Sequence, residues 1–253
     1  MSVEMGAQIW ALRPMLQSDA ATTFERIAAA GYTHVEPAGL DLASGRIQDF
    51  SSHELKSLTR AAGLHMISAH FYHDLQTAPK ACEIAAKLGL RQIVHAFFKD
   101  DLAPSIEAYQ RAAAGLNEMG AIAKSFDLQL AYHNHAHEFE QIQNKVLFDI
   151  LLEETDADLV GFQPDLGWMV YAGQDPNNYF ARYPGRFASW HIRDIDKSRE
   201  KSTTIGEGTV DFPAIFAEKE KAGLKYAIVE MASSTENPLE KIEKSYKNIS
   251  FWI

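Results

Sequence analysis

The chain has 253 residues, 46% of them apolar and 23% charged, which supplies one sizeable core and argues against disorder. A formal net charge of −10 argues against a protein that tracks a nucleic-acid backbone, and nowhere do 18 apolar residues run together as a membrane span would need. The lone Cys82 excludes an intrachain disulfide and a cysteine metal cage, and its helix-like surroundings read as a structural core thiol.

Apolar runs of strand length alternate with segments of helical period, the pattern of βαβ units around a parallel sheet. The first strand is expected over 7–12, followed by a helix over 20–30 that Gly31 stops. A strand over 33–36 leads through a loop to a helix with Ser51 and Ser52 as N-cap candidates, Glu54 in its first turn and Gly63 at its end. Next come a strand over 65–70, a helix over 78–88 closed by Gly89, a strand over 92–96 and a long helix over 105–125. The second half repeats the alternation, with strands over 128–135, 159–165, 187–192 and 226–230. Its helices are expected over 146–154 and 176–182, from Phe212 onward and over 238–248, with a polar loop through Gly206, Glu207 and Gly208.

Eight strands and eight helices in strict alternation predict a single (β/α)8 TIM barrel of class α/β over residues 1–253, close to the roughly 250 residues such a barrel uses. A doubly wound open sheet shares the alternation, but no Gly-rich dinucleotide turn follows an early strand. No basic stretch precedes a long apolar run at the amino terminus, so a cytoplasmic protein is expected. The helix over 20–30 is rich in small residues, which suits subunit packing and barrel packing equally, so the sequence sets no oligomeric state.

In a barrel of this kind the C-terminal strand ends meet at one rim, where side chains point to a common centre. His70, His95, His133, His135, Asp165, His191 and Glu230 all close apolar runs, and imidazoles with carboxylates at one rim imply a divalent-metal site. Asp165 follows a buried run and needs a positive neighbour: a metal supplies one, and capping the next helix or pairing with Arg193 are the alternatives. Glu230 reads as a ligand or a rim salt bridge. His133 and His135 share one face of an extended segment, and one of them as a ligand is enough to complete a four-ligand site. His70 and His95 are expected in the ring as ligands or substrate hydrogen-bond donors. Glu36 reads as a second-sphere or substrate-hydroxyl group, or a rim salt bridge. Trp168 reads as a wall against a sugar ring, or as packing; Glu138 is expected as a mobile carboxylate near the site, or as a solvated loop residue.

The set His34-Val35-Glu36, Ser68-Ala69-His70, Tyr132-His133-Asn134-His135 with Glu138-Phe139, Asp165 with Gly167-Trp168, Trp190-His191-Ile192-Arg193-Asp194, Gly206-Glu207-Gly208 and Ile228-Val229-Glu230 resembles the sugar phosphate isomerase/epimerase family of xylose-isomerase-like barrels. The resemblance covers essentially the whole chain in order. It implies one divalent metal ion (Mn, Co, Mg or Zn) held by His133, Asp165, His191 and Glu230, and an isomerase or epimerase that acts on a sugar or keto-sugar through an enediolate. Glu230 would be the leading base with His135 or Glu138 as partner, while Glu36, His70, His95, Trp168 and Arg193 would orient substrate.

Two positions depart from the family: relatives that epimerise ketoses carry Glu where His133 stands, and many carry His where Trp168 stands. The first departure favours the alternative of abstraction by one base followed by elimination, as in family dehydratases of inososes and enzymes of keto-glycosides. An apurinic endonuclease shares the barrel but needs a basic groove, and a non-catalytic sugar-binding barrel is the other rival. Glu207 would repel an anion at the one glycine-rich loop after strand seven, so the expected partner is a small, non-phosphorylated sugar, with neither nucleic acid nor membrane.

Overall fold

The computed structural model describes residues 3–71, 73–96, 104–198 and 201–253; the first two residues of the amino-terminal stretch read above lie outside these. Eight parallel strands close a barrel: β1 (Glu4–Gln8), β2 (His34–Glu36), β3 in two pieces (His65–Met66 and Ser68–His70), β4 (Gln92–His95), β5 (Gln129–His133), β6 (Val160–Gln163), β7 (Ser189–Ile192) and β8 (Tyr226–Val229). Neighbours pair in parallel, and β8 returns to β1 through Tyr226 to Val229 against Glu4 to Ala7. Between β6 and β7 the join is a bridge from Asp165 to His191, whose amide donates to the Pro164 carbonyl at 2.9 Å. The doubly wound alternative is excluded by this closure.

β3 breaks at Ile67, whose carbonyl accepts both the Arg91 and Gln92 amides at 2.9 and 3.1 Å. Its first piece pairs with β2 and its second with β4, so the break lets one strand serve two neighbours across the barrel's curvature. The first strand lies earlier than 7–12. The Gln8 side chain accepts the Trp10 amide at 3.0 Å and turns Trp10–Leu12 into a 3-10 helix.

Ten helices follow among the described residues: α1 (Arg13–Ala30), α2 (Ser52–Ala61), α3 (Ala78–Leu88), α4 (Ile106–Lys124), α5 (Leu147–Glu154), α6 (Leu166–Tyr171), α7 (Pro176–Arg182), α8 (Phe212–Phe216), α9 (Lys219–Ala222) and α10 (Pro238–Ile249). The helix expected over 20–30 is the second half of α1, which kinks at Asp19; there the carboxylate caps the Thr22 amide at 3.0 Å. α2 carries the full reciprocal cap between Ser51 and Glu54. α6 was not expected, because its six residues are too short to display a helical period.

Strand alternation divides the molecule into two environments. Residues facing the barrel interior include Gln8, Glu36, Ser68, Gln92, Gln163, Ser189 and His191, and Ser189 donates to Gln92 at 2.8 Å. The hydrophobic core lies outside the strands, where Phe148, Phe162, Phe180, Phe187 and Trp190 are fully buried and Phe180 stacks on Trp190 at 4.7 Å.

α4 contains two glycines with opposite surroundings. A Cβ at Gly120 would stand 2.7 Å from the Leu159 carbonyl oxygen, whereas one at Gly115 would meet nothing within 4 Å. Gly115→Ala is therefore expected to stabilise the protein by about 0.5–1 kcal/mol, as helix propensity dictates. Gly120→Ala should destabilise it by about 1–3 kcal/mol, because backbone must move. Urea unfolding of the two variants checks both signs; a stabilised Gly120→Ala variant would contradict the packing.

Candidate metal centre

His191 stands at the middle of the polar end of the barrel. β7 holds it fully buried, its Nε2 lies 2.6 Å from Glu36 Oε1, and its Nδ1 lies 2.5 Å from Glu230 Oε2. Burial alone would drive this imidazole neutral, but the two flanking carboxylates win and raise its pKa to about 10. Glu36 at the end of β2 is likewise fully buried. Burial pushes its carboxyl up, and His70 with His191 holds it well below the usual carboxylate range instead. Ser68 donates to Glu36 Oε2, and the Gln163 amide donates to the same oxygen at 2.9 Å. His70 Nε2 lies 3.0 Å from Glu36 Oε1 and 2.7 Å from Gln163 Oε1, and its ring stacks on His191 with centroids 4.8 Å apart.

On the other side of His191, Arg193 joins the two remaining carboxylates. Its Nε donates to Asp165 Oδ2 at 2.7 Å, its second amino group lies 2.8 Å from Glu230 Oε2, and its first donates to Ser202 at 3.1 Å. Asp165 does both things its alternatives named: it pairs with Arg193, and its Oδ1 caps α6 through the Trp168 amide at 2.9 Å. Burial would raise Glu230, but Arg193 and then His191 hold it ionised well below the ordinary range.

One ligand atom each from His133, Asp165, His191 and Glu230 fall within 4.8 Å of one another, all on buried side chains. His133 Nδ1 is buried with no hydrogen-bond partner among the described residues, and burial followed by His191 and His70 pushes the ring well below the ordinary histidine range, so it is neutral. A neutral imidazole with an idle lone pair beside two carboxylates fits a divalent ion. The charge fits too. Once His191 is neutral as a ligand must be, Glu36, Asp165 and Glu230 against Arg193 leave two negative charges, which one dication cancels.

The other candidates divide. His70 joins the cluster, with a ligand atom within 4.8 Å of those of His133 and His191. His135 is half-buried, its ring 5.2 Å from His133, and burial pushes it down to about 4. Trp168 is half-buried at the start of α6, with the Arg193 guanidinium 5.6 Å from its ring and His135 at 6.1 Å. His95 does not enter the ring. The interior positions of β4 are Gln92 and Val94; His95 alternates to the opposite face, in register with Tyr132, and its ring meets His73 at 5.2 Å. Glu138 is not the mobile carboxylate expected of it. It is fully buried, accepting the Tyr132 hydroxyl at 2.7 Å on one oxygen and the His135 amide at 2.8 Å on the other.

Sequence reasoning missed Gln8, Ser68, Gln163 and Asn134. Gln8 donates to Glu230 Oε1 at 3.2 Å, and Asn134 accepts the Asp165 amide at 3.2 Å. Strand parity was the available signal for Ser68 and Gln163, each two residues before a candidate in the same apolar run. Asp194 was missed as well. Its carboxylate accepts five backbone amides, those of Ile195, Gly206, Gly208, Thr209 and Val210, at 2.9–3.2 Å. A Cβ at Gly208 would overlap that carboxylate, so the glycine is what lets the loop wrap it.

The model of the family described as xylose isomerase-like TIM barrel matches residues 24–250. The inosose dehydratase of Clostridium perfringens is 29% identical over 163 residues, 56% of this chain and 54% of that protein, so the chain spans about half the length of the curated relatives it matches. A crystal structure of a sugar phosphate isomerase/epimerase from Parabacteroides distasonis ATCC 8503 superposes with a TM-score of 0.89 at 26% identity, covering 98% of this chain and 94% of that one. In fold alone, the IolI protein with a binding zinc atom is similar at a TM-score of 0.76 and 15% identity, covering 99% and 98%.

Two outcomes follow from the polar network. Asp194→Ala should cost roughly 3 kcal/mol, since the amides of Ile195 and Val210 are buried and each left without an acceptor costs about 1–3 kcal/mol, and Asp194→Asn should cost less. Equilibrium unfolding in urea measures both. His95, pushed down to about 3 by burial and then by His73, stays neutral in the folded state while the unfolded chain takes up its proton near pH 6.5. The stability this histidine contributes is complete above that pH and falls on acidification towards pH 3, by about 1.4 kcal/mol per pH unit. His133 and His135 act in the same direction, so His95→Phe should flatten part of the slope. Urea titrations of chelator-treated protein at pH 7, 6 and 5 would show an unchanged slope if the placement is wrong.

Proposed function

The chain belongs to the xylose isomerase-like TIM barrel family, and from that premise we propose a divalent-metal-dependent enzyme that removes the proton beside the carbonyl of a non-phosphorylated keto-sugar or keto-polyol. The observation that carries the reading is the gathering of His133, Asp165, His191 and Glu230 within 4.8 Å. These four residues would hold the ion. When bound, it supplies Lewis acidity that polarises a carbonyl, a contribution of several kcal/mol.

Everything else is done by side chains. Glu230, ionised and steered by Gln8 through Oε1, takes the proton next to the carbonyl. His135, neutral at physiological pH and 5.2 Å from His133, carries a proton to or from a substrate hydroxyl. The half-buried Trp168 face, backed by Arg193, walls the apolar side of the ring.

Reprotonation gives an isomerase or epimerase, and loss of a hydroxyl gives a dehydratase. A specific observation favours the second. Epimerisation between two carboxylate bases needs a partner to Glu230, yet β5 offers His133, and the loop carboxylate Glu138 is spent on Tyr132 and the His135 amide. The name of the inosose dehydratase relative agrees with elimination. The substrate carries no phosphate at the loop after β7, because Asp194 already fills that ring of amides.

The test is to incubate manganese-loaded protein with an inosose and with 2- and 3-ketohexoses in deuterated water, followed by proton NMR and ultraviolet absorbance. Expected is deuterium at the carbon beside the carbonyl, with a conjugated enone growing from the inosose, and loss of both in Asp165→Asn. Metal-loaded protein that neither exchanges that proton nor eliminates water from any of these ketones would overturn the proposal.

A further inference from the structure

Glu36 sits where a substrate contact was expected, yet it offers substrate nothing. It is fully buried and both oxygens are engaged: Oε1 by His191 Nε2 at 2.6 Å and His70 Nε2 at 3.0 Å, Oε2 by the Ser68 hydroxyl and the Gln163 amide. The remaining nitrogen of His191, Nδ1, is on the Glu230 side, 2.5 Å from its carboxylate. An imidazole that ligates through one nitrogen carries its proton on the other, and an acceptor for that proton fixes both tautomer and ring direction.

Resting on the metal-site reading above, we propose that Glu36 is a positioning residue that holds His191 with its proton on Nε2 and presents Nδ1 to the divalent ion. Ser68 and Gln163 in turn hold Glu36. Gln163 can do so in one orientation only, since its carbonyl oxygen faces His70 Nε2 at 2.7 Å while its amide faces Glu36. The near-parallel stack of His70 on His191, 7° between planes, restrains the ring from its flat side. A carboxylate behind the ring also strengthens the imidazole as a donor, which a neutral acceptor does less well.

Metal affinity, substrate affinity and the histidine tautomer separate this role from a substrate contact. Calorimetric titration of chelator-treated protein with cobalt(II) should show Glu36→Gln, and Glu36→Asp with its shorter reach, binding about 10–100-fold more weakly than the parent. At saturating metal, KM for a ketone substrate should stay within about twofold, and the visible spectrum of the cobalt-loaded variants should shift with the altered ligand. Long-range nitrogen-15 NMR of the zinc-loaded parent should show His191 protonated on Nε2 and ligated through Nδ1, a readout independent of how the variants fold. Unchanged cobalt affinity with a raised KM, or a proton on Nδ1 of His191, would overturn the assignment. A parent protein that binds neither cobalt nor zinc would overturn the metal reading itself, and Glu36 with it, which sets that failure apart from failure of Glu36 alone.

Discussion

Three carboxylates, Glu36, Asp165 and Glu230, are buried at one end of a narrow barrel, and neutralising them is the constraint to which the rest of that end answers. Taking even one ionised carboxylate out of water costs several kcal/mol unless an opposite charge and hydrogen bonds compensate it. Compensation here runs as a chain from Glu36 through His191 and Glu230 and on through Arg193 to Asp165, with no contact in it longer than 2.8 Å. Because each cation touches two anions, removing either cation strands two carboxylates, and removing Glu230 leaves both cations short of one partner. The chain is therefore rigid as a unit, which is the property a preorganised metal site requires.

A single stretch of β7 and its continuation builds most of this. Alternation sends His191 and Arg193 inward, to the carboxylates, and Asp194 the other way, into the amides of the loop over 206–210. The candidate ligand, the counter-cation and the loop anchor thus share one backbone segment. The loop cannot shift without disturbing Arg193, and Asp165 ties the same cation to the first turn of α6, on which Trp168 stands. Rigidity of the mouth therefore derives from charge pairing as much as from packing.

Much of this was legible in the sequence, because the rule that strand ends meet at one rim needs only the strands themselves. Asp165, His191 and Glu230 were readable from where apolar runs stop, and the parity of His133 with His135 placed both on the interior side. Where reading failed, the cause is specific. His95 was counted by its position at a strand end without counting parity from Gln92 and Val94, and that single residue of offset sends it outward beside Tyr132. Ser68 and Gln163 were invisible as partners of Glu36 because hydrogen bonds across a barrel depend on stagger between strands distant in sequence, 32 and 127 residues away here. Glu138 looked mobile because its segment is polar, whereas its burial comes from Tyr132 on the outer face of β5.

A barrel whose interior carries Gln8, Gln92, Gln163, Ser189 and the charged chain gains little hydrophobic stabilisation from within. The favourable burial must come from the layer between strands and helices, where Phe148, Phe162, Phe180, Phe187 and Trp190 meet edge to face, tilted or stacked at 4.7–6.3 Å. Short strands make this division possible. With at most five paired residues each, a strand spares only two or three positions for the interior, and the outward positions of all eight still supply a continuous apolar shell. The chemistry and the stability of this fold are thereby placed on opposite faces of the same residues' backbone, so that a costly interior can be kept while the shell outside it remains an ordinary hydrophobic core.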